Sequence, residues 1–93
     1  MNDVINDLFA TLLDRQTNPR PGSYTNELFA LGEDEIVKKI GEEAIEIIIA
    51  AKSQGNGRLV EETADLVYHL LVLLVARDLT WNDILLELDA RRR

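Results

Sequence analysis

Hydrophobic positions recur at helical spacing along most of the chain. Apolar residues three and four positions apart share one face of a helix, so such a stripe predicts an amphipathic helix. The first stripe, over about residues 3–16, comprises Val4, Ile5, Leu8, Phe9, Leu12 and Leu13. Residues 17–22 hold both prolines of the chain and are predicted to end this helix.

Two long helices form the centre of the predicted fold. They span about residues 33–53 and 59–77, and a short turn over residues 54–57 separates them. Helices joined by such a short turn pack antiparallel. A shorter helix precedes them, and either Ser23 or Thr25 can cap its start.

A last helix is predicted after Thr80. Thr80 and Asp83 have the spacing of a capping box in which Asp takes the place of Glu. No segment has the pattern of a strand. The chain is therefore predicted to be all-α, a single domain over residues 1–93 that forms an antiparallel bundle of four to five helices completed by dimerisation.

The dimer is inferred from the first long helix, which is apolar nearly all round. Ile45, Ile48 and Ile49 point away from the stripe that contains Ile36 and Ile40. A helix that is hydrophobic on every side must be buried on every side, and a chain of 93 residues cannot achieve this alone. A homodimer is the simplest closed assembly that covers the remaining face.

Two pairs of carboxylates interrupt the apolar pattern of the long helices. Glu43 and Glu46 lie three residues apart on the first, and Glu62 and Asp65 on the second. Each pair shares a helix face, and antiparallel packing can bring both pairs to one level. Four oxygen donors in apolar surroundings suit Mg²⁺, with Mn²⁺ as a second possibility, and Mg²⁺ typically also binds substrate phosphates. The alternative is a solvated acidic face, and the pattern alone does not decide between them.

His69 lies four residues after Asp65, near the same helix face. It could be a further metal ligand, but hydrogen-bonded packing is more typical of a histidine in a helix core. Tyr68 is similarly expected to be a core residue whose hydroxyl reaches the surface.

Charge and composition exclude several other functions. The net charge of −7 is unfavourable for binding the backbone of a nucleic acid, and the chain has no cysteine for disulfides or thiolate ligands. The longest apolar stretch, residues 66–76, is shorter than the ~20 residues of a membrane span. The acidic, polar N-terminus is not the pattern expected of a signal peptide. We therefore expect a soluble, cytoplasmic protein that binds neither nucleic acid nor membranes.

The acidic motif resembles the signature of the all-α nucleoside-triphosphate pyrophosphohydrolase (MazG-like) superfamily. The motif is Glu-Glu-x-x-Glu at residues 42–46 followed by Glu-x-x-Asp at 62–65. Within that superfamily the chain closely resembles the phosphoribosyl-ATP pyrophosphohydrolase family of histidine biosynthesis. The more specific segments are Pro-Gly-Ser-Tyr-Thr at residues 21–25 and Asp-Leu-x-Tyr-His-Leu-Leu at residues 65–71.

The resemblance implies hydrolysis of phosphoribosyl-ATP at its α–β phosphoanhydride, to phosphoribosyl-AMP and pyrophosphate. It implies that Mg²⁺ is held by Glu43, Glu46, Glu62 and Asp65. Glu42 would then position or deprotonate the attacking water, although a solvated role is as compatible with its position.

Three more residues are candidates for nucleotide binding. Lys39 could bind a phosphate, or it could form an (i, i+4) salt bridge to Glu43. Ser23 and Thr25 lie at a predicted helix start, whose free N–H groups and hydroxyls suit an anion, but a plain capping role is equally compatible.

Two rival functions follow from the same residues. A house-cleaning pyrophosphohydrolase for non-canonical nucleotides would use the same metal site on another substrate. A non-enzymatic helical dimerisation module would need no metal and would tolerate Glu→Gln changes at the acidic positions.

Overall fold

The chain folds into helices joined by short connections. The computed structural model describes residues 3–92, and its regular elements over that range are all helical. The all-α prediction is therefore confirmed. The helices are α1 (Val4–Thr17), α2 (Tyr24–Leu31), α3 (Glu33–Ile49), α4 (Asn56–Ala76) and α5 (Trp81–Arg91), and α3 continues into a π-helical turn (Ala50–Gln54).

The start of α2 is fixed by Ser23. The side chain of Ser23 accepts a hydrogen bond from the backbone N–H of Asn26, so Ser23 is the cap and Thr25 is not. Asn26 also fixes the segment that precedes α2. Its side chain accepts a hydrogen bond from the backbone N–H of Arg20 and donates one to the carbonyl of Arg15. These bonds hold the proline-containing segment against α1 and α2.

Helices α3 and α4 form the predicted antiparallel hairpin. Glu33 at the start of α3 and Arg77 just after α4 form an ion pair, with Nη2 of Arg77 2.8 Å from Oε2 of Glu33. The predicted four-residue turn is too long, because the π-helical turn extends to Gln54 and α4 already begins at Asn56. Gly55 alone makes the connection, with a φ of 87° that disfavours residues with a side chain.

One hydrophobic core lies between the first four helices. Its fully or nearly buried members are Phe9, Leu12, Leu28, Ile36, Leu71, Val72 and Val75. The predicted stripe of α1 supplies Phe9 and Leu12, whereas Val4 and Leu13 at its edges are exposed. The core lies towards the C-terminal half of α4, and the acidic positions of α4 precede it along the same helix.

Helix α5 begins with the predicted capping box, since Thr80 and Asp83 exchange both of its hydrogen bonds. None of its residues is buried. Within the described part of the chain, no helix is both long and apolar enough to cross a membrane.

Large apolar side chains of α3 remain on the surface. Ile45, Ile48 and Ile49 are 59%, 57% and 42% exposed, as the helical periodicity predicts for residues that turn away from the intrachain core. We call these three residues the isoleucine face. The homodimer that would cover it stays a prediction.

Candidate metal and nucleotide site

Three of the four predicted metal ligands lie together on the hairpin. Glu43 of α3 and Glu62 and Asp65 of α4 each offer an oxygen, and these oxygens all lie within 4.8 Å of one another. We call these residues the acid cluster. Glu62 is only 5% exposed, Glu43 is half-buried and Asp65 is exposed. The cluster therefore begins inside the hairpin and opens to solvent at Asp65.

Glu46 is not part of this cluster. It lies one turn further along α3 and is exposed. Its charge instead contributes to the raised pKa of Arg58. The largest cause of that shift is a hydrogen bond to Glu61, and the charge of Glu62 is the next. The role of Glu46 as a fourth ligand stays a prediction.

The crowding of carboxylates has an electrostatic effect on Glu43. The pKa of Glu43 is raised, chiefly by burial, then by the charge of Asp65 and by a hydrogen bond with Glu62, while His69 acts in the opposite direction. Without a cation, ionisation of Glu43 is therefore less favourable than for a carboxyl group in water. A divalent cation would relieve the same repulsion and favour the ionised form.

The acid cluster fits a hard divalent cation. Mg²⁺ binds oxygen at about 2.0–2.1 Å in octahedral geometry, so ligands on opposite sides of the ion lie about 4.2 Å apart. The observed limit of 4.8 Å between oxygens is close to that span. All three donors are carboxylates, the ligand type that suits Mg²⁺ or Mn²⁺.

Arg58 is a neighbour of the cluster that the sequence reasoning missed. Its guanidinium contacts the buried carboxylate of Glu62 and lies 2.8 Å from Oε1 of Glu61. The available signal was its position, three residues before Glu61 and four before Glu62 on one helix face.

Lys39 and Glu42 lie beside each other on α3, at the edge of the site. The Lys39 Nζ atom is 3.5 Å from Oε1 of Glu42, so its partner is not Glu43, as an (i, i+4) salt bridge would require. The charge of Glu42 is the largest cause of the raised pKa of Lys39, followed by that of Tyr24. Both side chains keep contact with solvent, and both remain available to a ligand.

The two hydroxyl residues at the start of α2 have different positions. Ser23 is partly exposed and serves as the cap. Thr25 is buried, and its hydroxyl forms a hydrogen bond with the hydroxyl of Tyr68 on α4. The Thr25 side chain therefore links α2 to α4 in this structure.

An aromatic cluster of Tyr24, Tyr68 and His69 lies next to the acid cluster. Nε2 of His69 is 2.9 Å from the Tyr24 hydroxyl, and Nδ1 is 2.8 Å from the backbone oxygen of Asp65. Both ring nitrogens are thus engaged, and His69 is buried, in agreement with the packing role that is typical of a helix-core histidine. The hydroxyl of Tyr68 contacts Thr25 rather than reaching out to the surface as predicted.

The sequence contained part of this arrangement. Tyr68 and His69 follow Asp65 by three and four residues, so helical spacing places all three on neighbouring turns. Nothing in the spacing reveals Tyr24, because its place depends on how α2 docks on α4.

The structure thus defines an all-α protein whose helical hairpin brings carboxylates of both helices to one level. A sequence profile of the phosphoribosyl-ATP pyrophosphohydrolase family matches residues 5–92. The chain belongs to this family, which confirms the resemblance identified from the motifs.

Individual relatives are similar over nearly the whole chain. A phosphoribosyl-ATP pyrophosphatase of Pelotomaculum thermopropionicum is 57% identical over 91 residues, which cover 98% of this chain and 93% of that protein. A phosphoribosyl-ATP pyrophosphatase of Limosilactobacillus fermentum is 51% identical, over 94% of this chain and 82% of that protein. The histidine biosynthesis bifunctional protein HisIE of Caldanaerobacter subterraneus subsp. tengcongensis is 48% identical, over 96% of this chain but only 43% of that longer protein.

Proposed function

We propose that this chain hydrolyses phosphoribosyl-ATP between the α and β phosphates, giving phosphoribosyl-AMP and pyrophosphate, as a step of histidine biosynthesis. The observation that carries the proposal is the acid cluster of Glu43, Glu62 and Asp65, found on the helical hairpin of a chain that belongs to this family. In the reaction, the oxygen of a water molecule bonds to one of the two phosphorus atoms and gives up a proton. The bond from that phosphorus to the bridging oxygen breaks, and the bridging oxygen leaves on the other phosphate.

We propose Mg²⁺ as the cofactor, with Mn²⁺ as a substitute. Glu43, Glu62 and Asp65 would hold it, and Glu46 would complete the set if its side chain turns towards the cluster. The bound cation would neutralise charge on the phosphate oxygens and orient them for attack. The donor chemistry and the oxygen spacing of the acid cluster support this assignment.

The chain's own charged residues have complementary parts in the proposal. Lys39 binds an oxygen of the phosphate on the substrate's extra phosphoribosyl group, which separates it from Glu42. The freed carboxylate of Glu42, one residue before Glu43, then accepts a hydrogen bond or a proton from the attacking water. The N–H groups at the start of α2, next to Ser23 and Thr25, provide a second anion contact. The observed Lys39–Glu42 pair, which keeps both groups at the edge of the site, supports this division of roles.

We also propose that the protein acts as a homodimer whose subunits meet through the isoleucine face. Its ligand is a small nucleotide rather than a nucleic acid or a membrane, because a net charge of −7 repels polyanions and anionic lipid surfaces. A cytoplasmic location follows from the substrate, which is an ATP derivative of a biosynthetic pathway.

The family membership favours this function over the two rivals. A house-cleaning pyrophosphohydrolase would share the acid cluster, but the family match and the names of the relatives favour phosphoribosyl-ATP as the substrate. A non-enzymatic dimerisation module gives no reason for Glu62 to be a buried carboxylate beside two other acids.

The test is release of pyrophosphate from phosphoribosyl-ATP, with ATP and dUTP as control substrates, in the presence and absence of Mg²⁺. We expect turnover of phosphoribosyl-ATP that depends on Mg²⁺ and is restored by Mn²⁺. A clear preference for dUTP would identify a house-cleaning enzyme. Absence of turnover on all three nucleotides would contradict the proposed pyrophosphohydrolase activity.

A further inference from the structure

The hydrogen bond between Tyr24 and His69 has a defined direction. The backbone oxygen of Asp65, 2.8 Å from Nδ1 of His69, can only accept, so Nδ1 carries the ring proton. In the neutral imidazole the other nitrogen, Nε2, is then an acceptor. With the ring neutral, the Tyr24 hydroxyl, 2.9 Å from Nε2, donates its proton to His69.

This direction restricts what Tyr24 can bind on its exposed side. A hydroxyl has a single hydrogen, and that of Tyr24 is already committed, so its oxygen can only accept further hydrogen bonds. Ionised phosphate oxygens are acceptors as well and cannot bind there. Sugar hydroxyls and water can donate and are suitable partners.

The Tyr24 ring is held firmly although it is 45% exposed. It stacks on the ring of Tyr68 with centroids 6.2 Å apart and meets the ring of His69 edge-on at 5.9 Å. Its hydroxyl is close enough to Lys39 and Glu43 for their charges to affect its pKa, which is raised, first by burial. A fixed acceptor thus lies at the border of the acid cluster, open to a ligand.

We propose that Tyr24 accepts a hydrogen bond from a hydroxyl of the adenosine ribose of the substrate, and that His69 is a positioning residue that holds Tyr24 as an acceptor. The proposal rests on the proposed function, because it takes the acid cluster as the place where the phosphates bind.

The ribose is favoured over water by the position of Tyr24. One ester oxygen and one carbon connect the α phosphate to the sugar ring, so the ribose must lie next to the phosphate site. Tyr24 is likewise next to the acid cluster: its hydroxyl bonds His69, whose other ring nitrogen contacts the backbone oxygen of Asp65, and it is close enough to Glu43 to be affected by that charge. Contact with the attacking water is the other outcome that the experiment distinguishes.

The test compares wild type and Tyr24→Phe on phosphoribosyl-ATP and on two analogues that lack the 2′- or the 3′-hydroxyl of the adenosine ribose. For one of the deoxy forms, we expect wild type to lose about 10-fold in kcat/KM, as for loss of one neutral hydrogen bond. On phosphoribosyl-ATP, kcat/KM of Tyr24→Phe should be lower than that of wild type by a similar factor, mostly through a higher KM. On that deoxy analogue, the variant and wild type should have equal kcat/KM.

Two variants separate positioning from a merely structural role. His69→Gln keeps a side-chain amide that can accept from Tyr24 and should retain more discrimination between the ribose and deoxy substrates than His69→Leu. Tyr68→Phe breaks another hydrogen bond between α2 and α4, to Thr25, but leaves the Tyr24 oxygen in place. It should preserve the discrimination even if it lowers stability.

The outcomes are distinct. Equal turnover of ribose and deoxy forms by wild type, or Tyr24→Phe kinetics equal to wild type, would overturn the ribose contact. If Tyr24→Phe lowers kcat by the same factor on all three substrates, Tyr24 contacts the attacking water instead, and the ribose contact is overturned as well. Absence of any turnover of phosphoribosyl-ATP by wild type would overturn the proposed function, and this inference with it.

Discussion

The guanidinium of Arg58 contacts the carboxylate of Glu62, which lies one turn later on α4 and is almost fully buried. Arg58 itself is half-exposed. In the absence of a cation, this arginine is therefore the partner that makes a buried charge tolerable. A metal ion at the acid cluster would neutralise the same carboxylate, so arginine and cation have partly interchangeable effects on stability.

Replacing Arg58 by Met tests this relationship. The change leaves the buried Glu62 without its partner, and we expect the metal-free protein to lose about 1–3 kcal/mol in free energy of unfolding. Since a cation supplies the missing neutralisation, Mg²⁺ should raise the melting temperature more in Arg58→Met than in wild type.

Arg77→Met is the matched control, because it breaks the ion pair between α4 and α3 at Glu33, away from the acid cluster. Its stability loss should be smaller than that of Arg58→Met, as for exposed pairs, and its response to Mg²⁺ should equal that of wild type. The melting temperatures of wild type, Arg58→Met and Arg77→Met are measured by calorimetry with and without Mg²⁺. Equal increases in all three proteins would disprove a shared role of Arg58 and the cation.

The acid cluster itself is tested by a pair of neighbouring substitutions. Glu62→Gln and Glu61→Gln each remove a carboxylate that contacts Arg58, but only Glu62 belongs to the cluster. We expect Glu62→Gln to lower kcat/KM by at least about 100-fold and to weaken Mg²⁺ binding in titration calorimetry. Glu61→Gln should keep both within about 2-fold of wild type. Near-normal turnover of Glu62→Gln at saturating Mg²⁺ would exclude the metal assignment.

The raised pKa of Glu43 predicts how the stability of the metal-free protein changes with pH. Below its ordinary value of 4.5 the group is protonated whether the chain is folded or unfolded. Between that value and the raised folded pKa, only the folded protein holds the proton. Stability should therefore fall as pH rises through this interval and level off above it, and Glu43→Gln should remove this component.

Denaturant unfolding at a series of pH values measures this effect as the difference between wild type and Glu43→Gln. Glu33 provides a control of opposite sign, because its hydrogen bond to Arg77 lowers its pKa, and its stabilising contribution is lost as pH falls through the lowered value. Mg²⁺ should abolish the Glu43 component, since the cation favours the carboxylate. A pH-independent difference between wild type and Glu43→Gln would refute the raised pKa of Glu43.

The hairpin and most of the acid cluster could be predicted from the sequence because both depend on helix geometry alone. A spacing of three residues places Glu62 and Asp65 on one face, and the antiparallel connection brings Glu43 level with them. The place of Glu46 could not be predicted in this way, since the exact helix rotation and the π-helical turn after Ile49 decide where its side chain points.

Contacts between distant segments were beyond the reach of periodicity. Tyr24 and His69 are 45 residues apart, and their hydrogen bond exists only because α2 docks against α4. The direction of that docking is set by the buried core and by the link from Thr25 to Tyr68, which no local pattern encodes. The same limit applies to the isoleucine face, whose exposure was predictable but whose partner surface was not.

Assembly is tested on the isoleucine face. Because Ile48 is 57% exposed on a helix that is already packed on its other side, Ile48→Glu should leave a monomer or an unfolded chain if the face is an interface between subunits. Val4→Glu introduces the same charge on α1, at a residue 52% exposed, and should keep the dimer. Sedimentation at micromolar concentration provides the measurement, and a wild-type protein that sediments as a monomer would contradict the dimer.

The last prediction concerns the extra phosphoribosyl group of the substrate. Contacts remote from the reacting bond can be used to position the phosphates and so accelerate the chemical step. We therefore expect kcat/KM for phosphoribosyl-ATP to exceed that for ATP by at least about 100-fold, or about 2.7 kcal/mol.

Lys39, which lies at the edge of the site, should contribute to this difference, whereas its neighbour Lys38 is exposed and has no ion pair among the described contacts. Lys39→Met should thus reduce turnover of phosphoribosyl-ATP by about 10-fold or more and that of ATP far less, while Lys38→Met changes neither. Equal kcat/KM for the two nucleotides in wild type would overturn the assignment to histidine biosynthesis and leave a general metal-dependent pyrophosphohydrolase, because the acid cluster needs only the phosphates that both substrates share.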